Sequence, residues 1–231
     1  MRNLEVIIVD DGSTDRSGEI AQAWARRFPK TIKYIRQENR GAAAARNTGL
    51  DHATGEWVSF PDPDDILDRK WLHTFNKELK RKHGNEVLLI ARPIRFYYDE
   101  LNTYRSHPLA GQYVCRSELR VEEVEDFILL NANGTFFRRK TIEGMGIRFD
   151  GNVRPTFEDG HFINRLIVSC PDKSIVLLPK PPYIYRKRGA LNSLVDRSRN
   201  NPLWYTNQIR YGYLDLLRFA VRKSGEVPRF I

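Results

Sequence analysis

Four consecutive apolar residues, Val6, Ile7, Ile8 and Val9, run straight into the adjacent acids Asp10 and Asp11 and a cluster of turn formers in the stretch EVIIVDDGSTD. Apolar β-branched positions without polar alternation predict a strand covered on both faces, as in a parallel sheet. Ser13 or Asp15 can cap a following helix in which Ile20, Ala23, Trp24 and Phe28 share one face, and Pro29 ends it. TIKYIR, 31–36, predicts a second strand, and RGAAAARNTGLDHATG a helix that stops at a glycine. EWVSF, 56–60, predicts a third strand that again meets acids, PDPDD. Asp68 to His83 is amphipathic, with Leu72, Phe75 and Leu79 at helical spacing and Gly84 behind it. EVLLIARPIRFYY reads as one extended segment. This βαβα alternation predicts an α/β fold on a doubly wound, mostly parallel sheet.

After residue 100 the rhythm weakens. LNTYRSHPLAGQYVCRSE reads as a loop or hairpin insertion, and 121–130 as helical. FEDGHFINRLIVSC predicts a helix with Phe162, Leu166 and Ile167 inward, and KSIVLLP another strand. Asn201 and Pro202 open a last helix with Ile209, Tyr213, Leu217 and Ala220 on one stripe, closed by Gly225. With no repeat and no low-complexity linker, the expectation is one domain over 1–200 and a C-terminal amphipathic helix over 201–231.

Composition narrows the class. At 231 residues and 41% hydrophobic, the chain can bury a real core. A mean hydropathy of −0.54 and no apolar run near ~20 residues argue against a membrane-spanning helix. The N-terminus lacks the basic segment and apolar stretch of a secretory signal, so a cytoplasmic location is expected. Cys115 and Cys170 show no metal-ligand spacing and read as reduced and buried. The net charge of +9 favours anionic partners such as phosphates, an acidic polymer or a lipid surface, with a plainly solvated basic surface as the alternative. Arg210, Arg218, Arg222 and Lys223 surround the stripe of the last helix and would suit the cytoplasmic face of an anionic membrane. Packing of that helix against the domain is the preferred reading.

Ligands of open parallel sheets bind beyond the carboxyl ends of the strands, and both acid clusters sit at such ends. Asp62, Asp64 and Asp65 supply hard oxygen ligands that suit Mg²⁺ or Mn²⁺ bridging a diphosphate, with Pro63 fixing the turn. The spacing excludes an EF-hand. A phosphatase with Asp62 as nucleophile ranks lower, because Asp65 stands where Thr or Val would follow. Simple capping of the next helix is a further alternative. Asp10 and Asp11 can accept hydrogen bonds from a ribose hydroxyl or a nucleobase N–H. No GxGxxG or Walker loop is present, so phosphates fall to metal and basic side chains.

VIIVDDGSTD, then ENRGAAAARNTGLDHATGEWVSFPDPDD, then FEDGHF, together resemble the family 2 inverting glycosyltransferases of the GT-A fold. The resemblance is strong over about 4–72 and looser over 131–190. It implies a nucleotide-binding half over 1–99 and an acceptor half over 100–200. It implies that Asp11, with Asp10, contacts the nucleoside of a nucleotide-sugar, UDP-linked, and that Arg46 lies near the nucleotide. A helical Arg on a solvated face is the alternative for Arg46. By resemblance Asp62 and Asp64 form the DxD pair, with Asp64 the metal ligand and Asp62 nearer the ribose, while Asp65 faces the donor sugar or the next helix. Glu158 and Asp159 match the family's ED pair, with Asp159 the general base. YIYRKRGALNS, 183–193, resembles the flexible basic segment that closes over the diphosphate, through Arg186 and Arg188. Charge at a helix start and a surface basic run are the plainer readings of these last two motifs.

The implied acceptor is a hydroxyl of a bacterial polysaccharide, a teichoic-acid-like polyol-phosphate polymer or a lipid-linked precursor, and no nucleic acid is expected. Tyr97, Tyr98 and Tyr104 would floor an acceptor sugar or join the core. His73 and His161 receive no chemistry. In the family a strand with an apolar end precedes VDDGSTD, whereas Met1 stands just before Val6. The expectation is a sheet lacking that first strand, through a misplaced start, a truncated chain or a loss that damages activity. A non-catalytic module of the same fold, binding an anionic polymer or a partner, remains the rival to an enzyme.

Overall fold

The first apolar strand, β1 (Val6–Asp11), pairs parallel with β2 (Ile32–Gln37), from Val6 opposite Ile32 to Asp11 opposite Gln37. The computed structural model describes residues 4–81, 87–113, 117–123, 131–153, 157–188 and 202–224. Helix α1 (Ser17–Arg27) makes the crossover, and the Asp15 carboxylate accepts the Ser17 N–H at 2.9 Å. α1 approaches the strands through its small residues. A Cβ on Gly18 would stand 2.6 Å from Asp10 Oδ2 and 3.1 Å from the Tyr34 hydroxyl. The face shared by Ile20, Trp24 and Phe28 therefore looks to solvent, at 52%, 47% and 42% exposure, with Trp24 stacked on Phe28 and the Arg27 guanidinium above both rings.

A five-stranded sheet holds the centre in the order β3 (Trp57–Val58), β8 (Thr135–Arg138), β4 (Val87–Ala91), β9 (Ser174–Leu177) and β7 (Ser117–Arg120). A third sheet runs β10 (Tyr183–Lys187), β5 (Ile94–Tyr98), β6 (Thr103–Ser106). The expected α/β class holds, but the pairing is mixed where a mostly parallel sheet was expected. Among the described residues β1–β2, β4–β9 and β5–β10 are parallel, while β3–β8, β4–β8, β5–β6 and β7–β9 are antiparallel. In the central sheet β8 returns from the second half of the chain and inserts between β3 and β4 against both, and β7 runs against β9 at the edge.

The single extended segment expected over EVLLIARPIRFYY is two strands in two sheets. Every residue of β4 is buried, as a central strand requires. Pro93 removes a ladder donor at the corner. There the fully buried Arg92 donates to the carbonyls of Lys180, Pro181 and Trp71 at 3.1 to 3.3 Å and lies over the Trp71 ring. Burial brings the Arg92 guanidinium down to about 10, against the pull of Asp68 and Glu78.

Helices α2 (Ala42–His52), α3 (Trp71–Leu79), α4 (Arg139–Gly144), α5 (Glu158–Val168) and α6 (Pro202–Ser224) complete the fold. Phe162, Leu166 and Ile167 of α5 point into the core as expected, beside Leu89, Phe137 and Phe149. Phe75 and Trp71 of α3 build a second cluster with Phe136 and Tyr183. The insertion after residue 100 supplies β6, which pairs back on β5 as a hairpin and sets Tyr104 4.8 Å from Tyr97. Of the helix expected at 121–130, residues 121–123 form a 3-10 turn and the rest lie outside the described residues, as do Gly84, Cys115, Asn201 and Gly225. Cys170 is free and buried.

The last helix packs on the domain. Leu216 and Ala220 of α6 are buried, Tyr213 stacks on Phe157 at 4.5 Å, and a Cβ on Gly212 would meet Phe157 at 2.8 Å and Val153 at 2.9 Å. No helix among the described residues is long and apolar enough to cross a membrane.

The close approach at Gly212 yields a paired test. Alanine gains up to ~1 kcal/mol over glycine in a helix, but the fully buried Val153 cannot move aside cheaply, and overpacking costs ~1–3 kcal/mol. Gly212→Ala should lower stability in urea unfolding. Gly144→Ala, which meets nothing within 4 Å in α4, should leave it unchanged or raise it.

Candidate active site

Asp11 ends β1 where helix α2 begins. Its Oδ1 accepts the Gln37 amide at 2.7 Å and the Arg40 N–H at 3.0 Å, and its Oδ2 accepts the Gly41 N–H at 2.7 Å. A carboxylate here meets the unpaired N–H groups and positive end of α2. It has about four lone-pair sites, so it can take a further donor. Gly41 sits at φ 90°, a backbone state that suits glycine, and this turn lets the helix start against Asp11. Asp10 is committed elsewhere. It is 6% exposed and accepts the Tyr34 hydroxyl at 2.6 Å and the Ser13 N–H at 2.8 Å, with Arg36 at 3.8 Å. Those hydrogen bonds hold its carboxyl below the usual range. A shallow depression lined by Gly12, Arg36, Gln37, Glu38 and Asn39 opens beside this strand end.

One turn along α2, Arg46 reaches two acids far apart in the sequence. Its Nη2 donates to Asp62 Oδ1 and its Nη1 to Glu158 Oε1, both at 3.0 Å. Arg46 is thus not on a solvated face. Burial works against its charge, but Asp62 and Glu158 outweigh it and raise its pKa. Its neighbour Asn47 makes a reciprocal pair with the Phe149 backbone, both bonds 2.9 Å. α2 therefore grips the loop before α5 with two consecutive side chains.

Glu158 and Asp159 form the first turn of α5, where the helix dipole favours negative charge. Burial nevertheless raises both carboxyls above their ordinary values. Asp159 adds to the rise at Glu158 and Arg46 opposes it, while N–H groups of Gly160 and Ala132 steady Asp159. Glu158 Oε2 is buried without a hydrogen-bond partner among the described residues. The Arg46 charge lowers the Asp159 carboxyl and the Asp62 charge raises it, both less than burial does.

The turn after β3 carries the other acids. Asp62 Oδ2 accepts the Asn133 amide at 3.1 Å, and the Asp62 N–H donates to the Tyr183 hydroxyl at 3.0 Å. Tyr183 in turn donates to Asp65 Oδ2 at 2.6 Å, and the Arg186 N–H to Asp65 Oδ1 at 2.9 Å. Burial pushes Asp65 up to about 6 against those two bonds. Asp64 is half-exposed and pairs with Arg188, while the Arg186 guanidinium pairs with Asp99 at 2.8 Å. The basic segment expected to be flexible is strand β10 over 183–187, and 189–193 lie outside the described residues. Three carboxylates on one turn are a donor set that suits a hard divalent cation, with Asp64 the most accessible.

The site thus unites Arg46, Asp62, Glu158 and Asp159, and through Tyr183 and Arg188 joins Asp65, Asp64 and Arg186 to it. Asn133, Tyr183 and Asp99 escape sequence reading. Asn133 carries no motif, and Tyr183 looks like an ordinary strand aromatic after Pro181 and Pro182.

Comparison with known proteins adds an independent line. The Glycosyl transferase family 2 model matches residues 1–145. The minor teichoic acid biosynthesis protein GgaB of Bacillus subtilis (strain 168) is 29% identical over 231 residues, covering 99% of this chain and 24% of that protein. Glycosyltransferase GlyA of Streptococcus pneumoniae serotype 4 is 31% identical over 198 residues, covering 83% of this chain and 27% of that protein. The chain spans about a quarter of the length of both. The crystal structure of S. aureus TarS 1–349 in complex with UDP superposes with a TM-score of 0.65 at 17% identity, over 95% of this chain and 55% of that one. The mannosyltransferase PcManGT from Pyrobaculum calidifontis, in complex with GDP-Man and Mn²⁺, gives 0.62 at 22%, over 97% and 56%. At these identities the likeness shows the fold, which is the expected GT-A type.

The Arg46 bridge generates a stability test with a pH signature. Arg46→Met leaves Asp62, Glu158 and Asp159 uncompensated and should cost about 3 kcal/mol at pH 7.5, less than for a fully buried pair because these side chains keep 15% to 29% exposure. Glu158 and Asp159 have raised folded pKa values, so their ionised forms oppose folding as pH rises through those values. The deficit in urea unfolding should therefore shrink as pH falls below neutrality.

Proposed function

From a chain that belongs to glycosyl transferase family 2, we propose a transferase that moves one sugar from a nucleotide-sugar, UDP-linked, to a hydroxyl of a cell-wall or capsular polymer, with inversion. The observation that carries this reading is the Arg46 bridge, which sets the Asp62 turn and the Glu158–Asp159 helix start against one another. Asp11 at the start of α2 would take the nucleoside. Arg186 and Arg188 would turn from Asp99 and Asp64 to the diphosphate. The names of the relatives, teichoic acid biosynthesis proteins among them, support a polymer hydroxyl as acceptor.

Asp159 is the base in this reading. Burial raises its carboxyl, which makes it a better proton acceptor than a solvated aspartate. It removes the proton from the acceptor hydroxyl as that oxygen bonds the anomeric carbon. The bond from that carbon to the diphosphate breaks on the opposite face, and the electron pair leaves with the diphosphate. Glu158 holds Arg46 in place and thereby positions Asp62. A divalent ion, Mg²⁺ or Mn²⁺, held by Asp64 and Asp62 would supply Lewis-acid neutralisation of the departing diphosphate. Asp65, bonded to Tyr183, would shape the donor-sugar side of the turn. The two halves, 1–99 for donor and 100–200 for acceptor, are read on the same basis, as is a cytoplasmic location.

Release of UDP from a panel of UDP-sugars, with and without Mn²⁺, tests the reading. Asp159→Asn should lower turnover ~10²- to 10⁴-fold with donor affinity kept, and Asp64→Ala should lose the Mn²⁺ dependence of donor binding. Polymer binding equal in wild type and both variants, without turnover on any donor, would instead support a non-catalytic module.

A further inference from the structure

On the far side of α5 from its core face, Asp150, His161 and Asp215 each bring one ligand atom to within 4.8 Å of the others. They come from three separate elements: the loop before α5, α5 itself and α6. His161 is wholly buried, with one ring nitrogen, Nε2, 2.9 Å from Asp215 Oδ2 and the other, Nδ1, without a hydrogen-bond partner among the described residues. Nε2 is thus the ring nitrogen that faces the carboxylates. Asp150 is held by its own loop, its Oδ1 accepting the Asn152 N–H at 2.8 Å and its carbonyl the Val153 N–H at 3.2 Å. Val153 and Phe157 then pack on Gly212 of α6, three residues before Asp215. The three donors are therefore set on elements already fixed against one another.

We propose that Asp150, His161 and Asp215 form a Zn²⁺-type metal site that clips α6 to the helix carrying Glu158 and Asp159. One imidazole and two carboxylates are a donor set for a borderline divalent ion, and three protein ligands leave a fourth position for water. With bonds of ~2.0–2.2 Å, a tetrahedral site spaces its ligand atoms ~3.3–3.6 Å apart. The His161–Asp215 pair need only open slightly and Asp150 close slightly. Burial favours the neutral imidazole, which is the ligating form. Arg165, whose guanidinium lies over the Phe219 ring, is a nearby cation that works against the ion, and the two carboxylates outnumber it. This site is separate from the acids of the cleft and does not rest on the transfer reaction.

The test uses the full chain after chelator treatment, with Zn²⁺ as probe and Co²⁺ as its visible-absorbing substitute. Wild type and Asp64→Ala should both retain one equivalent of Zn²⁺ through gel filtration, gain thermal stability from it, and give a tetrahedral Co²⁺ spectrum. Asp215→Asn keeps an oxygen for the His161 hydrogen bond but removes the anionic ligand. It should weaken Zn²⁺ by more than ~100-fold, beyond what loss of a ligand's hydrogen-bond partner costs. Asp150→Asn is the second variant should Asp215→Asn fail to fold by circular dichroism. No retained ion in folded wild type, equal retention by Asp215→Asn or Asp150→Asn, or loss of all binding in Asp64→Ala would each overturn the proposal.

Discussion

A single guanidinium holds the cleft together. Asp62, Glu158 and Asp159 come from turns nearly a hundred residues apart and carry like charge into a partly dry space. At an effective dielectric near 20, two such charges 4 Å apart repel by roughly 4 kcal/mol. Arg46 answers this with a planar fork that donates to one acid on each side, which a lysine's point charge does not reproduce. Its cost is desolvation, and the same desolvation raises the carboxyls of Glu158 and Asp159. The chemistry attributed to Asp159 and the cohesion of the cleft are thus two expressions of one burial.

A second tie runs through Tyr183. Its hydroxyl accepts from the Asp62 N–H and donates to Asp65, so the acidic turn is moored to β10, the strand that carries Arg186. The buried Arg92 fixes that strand's approach by holding the Lys180 and Pro181 carbonyls beside Trp71. The acid turn rests on packed core on one side and meets a solvent-facing ion pair on the other, between Arg188 and the half-exposed Asp64.

Much of this was legible in the residues. Val6 to Val9 announced a parallel strand, although it is not the doubly covered one expected, since Val6 is exposed and Ile7 to Val9 are half-buried in a two-stranded sheet, and FEDGHF announced a helix start with its carboxylates. What escaped has physical causes. TFFR, the β8 strand, is too short to declare a period, and its insertion between β3 and β4, with the antiparallel β7 at the other edge, makes the sheet mixed. The face of Ile20, Trp24 and Phe28 obeys helical spacing yet looks outward, because α1 meets its sheet through glycine and alanine. Asn133 and Tyr183 act through contacts more than seventy residues distant, which no local pattern encodes. His161 resembled any core histidine until Asp215 was found beside it.

Helix α2 also works as a ruler. Gly41 at its mouth binds Asp11, and Arg46 and Asn47 bind the second half of the chain about 7.5–9 Å further along at 1.5 Å per residue. The segment AAAA between them has no side chain long enough to reach anything else. Its service is to keep a fixed count. Adding or deleting one alanine would swing the guanidinium through ~100° and uncouple Asp11 from Asp62 and Glu158 while leaving every strand intact.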